Sequence, residues 1–170
     1  GRTRLRPQRR PRLELGRLQI MQTLLTILLL LLTTTVLADS AICPKYDRKS
    51  YRHWIDEDRD CQNARHEVLI EESLSTVGFK TSKGCRVVSG SWNDPYSGRT
   101  ITDASKLDID HTVPLKEAHE SGGHAWDVYR KREYANDLSE PNTLIAVDRG
   151  LNRQKGAGDP ADWLPPNQAY

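Results

Sequence analysis

Asp108-Ile109-Asp110-His111 places two carboxylates and an imidazole within four residues, and Pro114 closes the segment soon after. A histidine can take a proton from water near neutral pH, and an aspartate beside it can hold a hard cation. Together they suit metal-assisted hydrolysis of the kind nucleases perform. The most useful distant companion is Asn152-Arg153-Gln154-Lys155-Gly156, where Asn152 offers a neutral carbonyl oxygen. An Asp110 and Asn152 pair leaves Mg2+ most of its waters, which suits an ion that dehydrates reluctantly. Asp108 lies two residues before Asp110, hence on the same face of a regular strand, and is expected to orient a ligand rather than bind the metal itself. Arg149, Arg153 and Lys155 cluster around Asn152 as phosphate contacts.

These residues need elements to hold them. Leu107 to His111 reads as a short strand, and Thr143-Leu144-Ile145-Ala146-Val147 as the clearest strand of the chain, apolar and rich in β-branched residues. Asp148 can cap a following helix that carries Asn152, and Gly156 breaks it. Between the strands, Leu115 to His119 and Trp126 to Asp137 have helical composition around Ser121-Gly122-Gly123. Upstream, Arg65 to Leu74 reads as a helix ended by Gly78. Cys85 to Trp92 and Arg99 to Thr102 then read as a β-hairpin about the turn Asn93 to Gly98. The class is α+β, with a β-strand, helical insertion, β-strand, helix order from residue 107.

That order, with Asp-His ending the first strand and Asn on the last helix, resembles the HNH (ββα-metal) nucleases. More closely it resembles secreted HNH-type proteins related to the C-terminal domain of the GmrSD restriction endonucleases. The likeness is carried by Asp108 to Leu115, Glu117-Ala118, Tyr134-Ala135-Asn136-Asp137-Leu138, Pro141 to Val147, Asn152 to Gly156, and Asp159-Pro160 with Trp163 to Pro166. An upstream block, Tyr46-Asp47-Arg48, His53-Trp54 and Arg65 to Leu69, extends it over most of residues 46–166. The resemblance implies a ββα-metal core with a helical insertion, preceded by a helix and a β-hairpin, with its motif core at 107–160. It implies His111 as the general base, Asp110 and Asn152 as ligands of one divalent metal, and a 5′-phosphate product. Mg2+ is expected first, with Mn2+ and Zn2+ open. Asn142 matches the middle asparagine of the motif, with catalysis and loop bracing equally weighted. Arg65 and Glu67 match the upstream block and are expected as a buried ion pair bracing the site, with substrate contact as the alternative. The substrate is nucleic acid, DNA ahead of RNA; the competing reading is a binding module on the same scaffold that has lost turnover.

Composition bounds the rest. Met21, the apolar run Leu24 to Leu32 and the small residues at Val36-Leu37-Ala38 read as a signal peptide over residues 21–38, too short for a comfortable membrane span of about 20 residues. Asp39 is then the mature start, and residues 1–20 an upstream extension rather than part of the protein. A secreted single domain over 39–170, with no membrane contact after cleavage, follows; the rival reading is an uncleaved signal anchor with an arginine-rich cytoplasmic flank. Residues 1–20 hold seven arginines against Glu14, so residues 21–170 carry 18 basic and 22 acidic side chains, a net of −4. Bulk attraction to a polyanion is excluded, and nucleic-acid binding must come from a local basic patch or a metal. In an oxidising compartment Cys61–Cys85 is the expected disulfide, leaving Cys43 over. Asp56, Asp58, Asp60 and Glu67 have the spacing of a calcium loop, but Cys61 stands where a glycine is needed, so an acidic surface loop is expected there.

Overall fold

The computed structural model describes residues 43–170; the expected signal segment and the stretch before it lie outside them. In chain order the elements are helix α1 (Ala64–Glu71), strands β1 (Gly78–Phe79), β2 (Val87–Asn93), β3 (Thr100–Asp103) and β4 (Leu107–His111), helices α2 (Leu115–Glu120) and α3 (Val128–Ala135), strand β5 (Leu144–Asp148) and helix α4 (Arg149–Lys155). The α+β class and the helix-plus-hairpin N-terminal half are as expected. Among the described residues no helix is long and apolar enough to cross a membrane.

β4 and β5 pair antiparallel in unbroken register, from Leu107 opposite Asp148 to His111 opposite Leu144. Because strand side chains alternate, this two-stranded sheet must be covered on both faces. On one face Leu107, Ile109, Leu144 and Ala146 pack with Val68 and Leu69 of α1 and with Val87 and Trp92 of β2. On the other, Ile145 and Val147 pack with Tyr96, Leu151 and Trp163. A third cluster joins Tyr51, Leu115 and Ala135 and seats the helical insertion. Trp92 is 1% exposed and its indole N–H donates to the Leu69 carbonyl at 2.8 Å. Burying side chains of this size contributes roughly 1.5–3 kcal/mol each, so this contact is one of the ties between α1 and the three-stranded sheet.

Two carboxylates finish what the sheet leaves open. Glu72, just past α1, accepts the Ala146 N–H at 3.0 Å, satisfying a backbone donor on the free edge of β5. Buried Asp94 accepts from the N–H groups of Tyr96 (3.1 Å), Ser97 (3.0 Å) and Asp148 (3.0 Å), which ties the turn after β2 to the end of β5. At that end Asp148 also caps α4, accepting from Gly150 N–H at 2.8 Å and Leu151 N–H at 3.0 Å, an arrangement typically worth about 1 kcal/mol. Gly156, at φ +59°, ends α4 as expected.

One expectation fails in this half. Gly78 does not end α1, which stops at Glu71; it opens β1, a third strand of the hairpin sheet. Its partner is Ser89, whose Oγ lies 2.4 Å from where a Cβ would stand, so a larger residue there would have to turn that hydroxyl aside. The chain instead leaves the helix at Ser73, whose hydroxyl accepts the Ser91 N–H at 3.1 Å.

Candidate active site

β4 and α4 bring Asp110, His111, Asn152 and Arg153 to the lining of one cleft of about 300 Å³. Its wall also includes Arg48, from a short 3-10 turn near the described N-terminus, and Lys116 of α2. His111 is 5% exposed, packed by the Trp54 ring at 5.9 Å and by Tyr134 at 6.5 Å. Its Nε2 lies 3.0 Å from the Ala135 carbonyl oxygen. A carbonyl only accepts, so Nε2 carries the proton and Nδ1 keeps its lone pair. Burial holds the imidazole pKa down to about 4; the Ala135 carbonyl opposes this, and the nearby Arg48, His53 and Lys155 add to it. At neutral pH the ring is therefore uncharged and its Nδ1 is a free base.

Asp110 lies on the opposite face of β4 and is 6% exposed. Its Oδ2 accepts the Tyr96 hydroxyl at 2.6 Å and the Lys155 ammonium at 2.8 Å, while Oδ1 has no hydrogen-bond partner among the described residues. Burial first, then the Asp110 carboxylate, push the Tyr96 hydroxyl well above its ordinary range, so it is a permanent donor to that oxygen. Lys155 also donates to the His111 carbonyl at 3.2 Å, so the end of α4 is pinned to the end of β4 at two atoms.

The other expected residues fall into two groups. Arg153 lines the cleft, its Nε 3.4 Å from Asp108 Oδ2, an exposed pair that orients the guanidinium more than it stabilises the fold. Lys155, expected at phosphates, is instead occupied with Asp110. Arg149 sits in the first turn of α4, outside the cleft lining. Asn142 is exposed and does not line the cleft; its carbonyl accepts the Thr112 hydroxyl at 2.6 Å, so what it does is brace the segment after β4. The expected Arg65–Glu67 ion pair is not formed. Residues two apart on a helix do not face each other. The Arg65 guanidinium donates instead to the carbonyls of Ala104 (3.1 Å) and Leu107 (2.8 Å), holding the start of β4. Cys61 and Cys85 form a disulfide, and Cys43 is exposed.

Sequence reasoning gave no role to Arg48, Lys116 or Tyr96. Arg48 was within reach, since Tyr46-Asp47-Arg48 belongs to the familiar upstream block. Tyr96 was not, because its partner lies on another strand and the surrounding residues read only as a turn.

A strand ending in Asp-His, an antiparallel partner and a helix returning Asn to the same cleft make an HNH-like ββα unit within an α+β domain. Residues 64–170 match the family model described as "GmrSD restriction endonucleases, C-terminal domain", and the chain belongs to that nuclease-related family. An "Uncharacterized secreted protein" of Arthroderma benhamiae is 42% identical over 125 residues, which cover 74% of this chain and 59% of that protein. The chain thus spans little more than half the length of this relative. No solved structure matches.

The family implies a divalent metal, and the donor set fits one. Asp110 has an uncommitted oxygen, and Asn152 shares its cleft. Asp110 is the one carboxylate among the cleft-lining residues, and Lys155 already offsets its charge. The residues therefore fit a hard cation co-bound with an anionic phosphate better than one held by protein alone.

Proposed function

We propose that the protein is a secreted endonuclease that hydrolyses DNA phosphodiester bonds, using His111 as general base and one divalent metal held by Asp110 and Asn152. Mg2+ is the first expectation, ahead of Mn2+ and Zn2+. The observation that carries this is the state of His111: uncharged, Nε2–H committed to the Ala135 carbonyl, and Nδ1 free beside a cleft that also offers Asp110, Asn152 and cationic side chains. The metal, when bound, supplies charge to polarise the scissile phosphate and stabilise the leaving 3′ oxygen.

The chain's own residues do the rest. His111 Nδ1 takes the proton of the attacking water, and the carbonyl at Nε2 stabilises the ring as it becomes positive. Arg48, Lys116 and Arg153 attract and orient the phosphates, which supplies locally what the net charge of −4 over residues 21–170 does not. Arg65 and Lys155 fix the two ends of β4, so the base and the metal ligand hold their relation to one another. DNA is placed ahead of RNA because the family is named for restriction endonucleases. Secretion is supported by the secreted Arthroderma benhamiae relative and by the Cys61–Cys85 disulfide, which suits an oxidising compartment.

Purified protein is expected to nick plasmid DNA with Mg2+ or Mn2+ and to stop when EDTA is added. Asn152→Ala should lower the rate at least ~100-fold, whereas Asn142→Ala, outside the cleft, should stay within about tenfold of wild type. Metal-independent cutting, or equal losses in the two variants, would contradict the assignment. Binding of DNA without any cutting would leave the binding-module reading in its place.

A further inference from the structure

We propose that Asp56, Asp58 and Asp60 form a calcium site in the loop that leads into α1, separate from the nuclease cleft; Glu67 shares the loop's spacing but lies outside the cluster of aspartate oxygens. One ligand oxygen from each aspartate lies within 4.8 Å of the others. Acidic clusters at a surface are common, and the loop needs a sharper observation to stand out. Asp56 provides it: its Oδ1 is wholly buried and has no hydrogen-bond partner. A buried carboxylate oxygen left unpaired is costly unless a cation takes it. The other oxygen of the same carboxylate, Oδ2, accepts the Cys61 N–H at 3.1 Å, which fixes the group and leaves Oδ1 as the free ligand. Asp58 and Asp60 likewise each spend Oδ1 on a backbone N–H, of Asp60 at 3.3 Å and Gln62 at 2.7 Å, and keep a second oxygen. Among the described residues no lysine or arginine forms an ion pair with any of the four acidic groups.

The spacing is that of a twelve-residue calcium loop, with carboxylates at the first, third, fifth and twelfth positions and the Gln62 carbonyl at the seventh. The apparent obstacle was Cys61 at the sixth position, where a glycine normally makes the turn. Cys61 stands at φ +76°, the left-handed conformation a glycine would supply, and its disulfide to Cys85 anchors it there. All-oxygen, carboxylate-rich ligation favours Ca2+ over Mg2+, which demands tighter octahedral geometry and keeps its waters. α1 follows the loop directly and carries Arg65, the residue that holds the start of β4, so calcium would stabilise the scaffold under the cleft without entering it.

The test is calorimetric titration of the purified, chelator-treated protein with CaCl2, alongside thermal melting with and without Ca2+. Three proteins are compared: wild type, Asp58→Asn/Asp60→Asn, and Asp110→Asn. Asparagine keeps the oxygen that accepts each backbone N–H, and both loop side chains are exposed, so the double variant is expected to fold; the single Asp58→Asn substitution serves if it does not. Wild type should bind one Ca2+ with Kd in the extracellular range of roughly 0.1–1 mM or tighter. The loop variant should lose at least ~tenfold in affinity and the calcium-dependent rise in Tm, while Asp110→Asn keeps both. No binding by wild type, binding unchanged in the loop variant, or binding lost only in Asp110→Asn would each overturn the proposal. Because the readout is binding and melting rather than cleavage, its failure would leave the nuclease assignment untouched.

Discussion

Lys155→Met is expected to lower the stability of the domain by about 3–5 kcal/mol, the usual cost of removing one partner from a buried ion pair. The two side chains are 8% and 7% exposed and meet at 2.8 Å, so water cannot replace the ammonium without opening the junction of β4 and α4. Methionine preserves most of the lysine's length and apolar stem, which isolates the charge. The loss should appear as a fall in Tm on the order of 10 °C. Adding Asp110→Asn to Lys155→Met should recover most of it, because the stranded charge is then gone. Mg2+ should raise the Tm of Lys155→Met more than that of wild type, since the metal meets a carboxylate no longer offset. A Tm for Lys155→Met within 2 °C of wild type would mean that the pair does not hold the site together.

The largest effect on activity is expected at His111. His111→Ala removes the only group in the cleft whose uncommitted atom is a neutral base, and the rate of the chemical step should fall by about 10²–10⁴. Single-turnover cleavage measures that step without product release. His111→Asn is the sharper companion: its amide cannot take the water's proton, yet it retains a polar side chain near the Ala135 carbonyl. Both variants should bind DNA with nearly wild-type affinity, because the cationic side chains lining the cleft, Arg48, Lys116 and Arg153, are left in place. A loss confined to binding would move His111 from chemistry to substrate recognition.

The parts of the site that lie on regular, strongly patterned elements were legible from residue types. β4 alternates apolar and acidic residues up to Asp110, β5 is legible as a continuous apolar run buried on both faces, and Asp148 marks the start of α4 because a short acidic side chain there meets the free N–H groups of a helix end. What could not be read were relations between distant segments. β1 is two residues long and carries no period, so Gly78 looked like a helix terminator until Ser89 was seen against it. Lys155 is three residues past Asn152 in a basic cluster and reads as a phosphate contact; only the packing of α4 on β4 shows it turned toward Asp110. Asn142 stands between His111 and Asn152 in the motif order, but it lies outside their cleft and its backbone carbonyl accepts the Thr112 hydroxyl. The acidic loop before α1 reads as a surface loop because Cys61 stands where a glycine is expected and no strong helix precedes it; that Cys61 adopts φ +76° is not legible from its residue type.

The central claim is that water, deprotonated by His111, attacks the phosphorus in a metal-dependent step. It is tested most directly by cleaving DNA in ¹⁸O-labelled water with Mg2+ and analysing the new ends by mass spectrometry. The account predicts one ¹⁸O in each new 5′-phosphate, none without metal, and label appearing at least ~100-fold more slowly with His111→Ala. Ends that carry no label, or label that accumulates at the wild-type rate in His111→Ala, would contradict it.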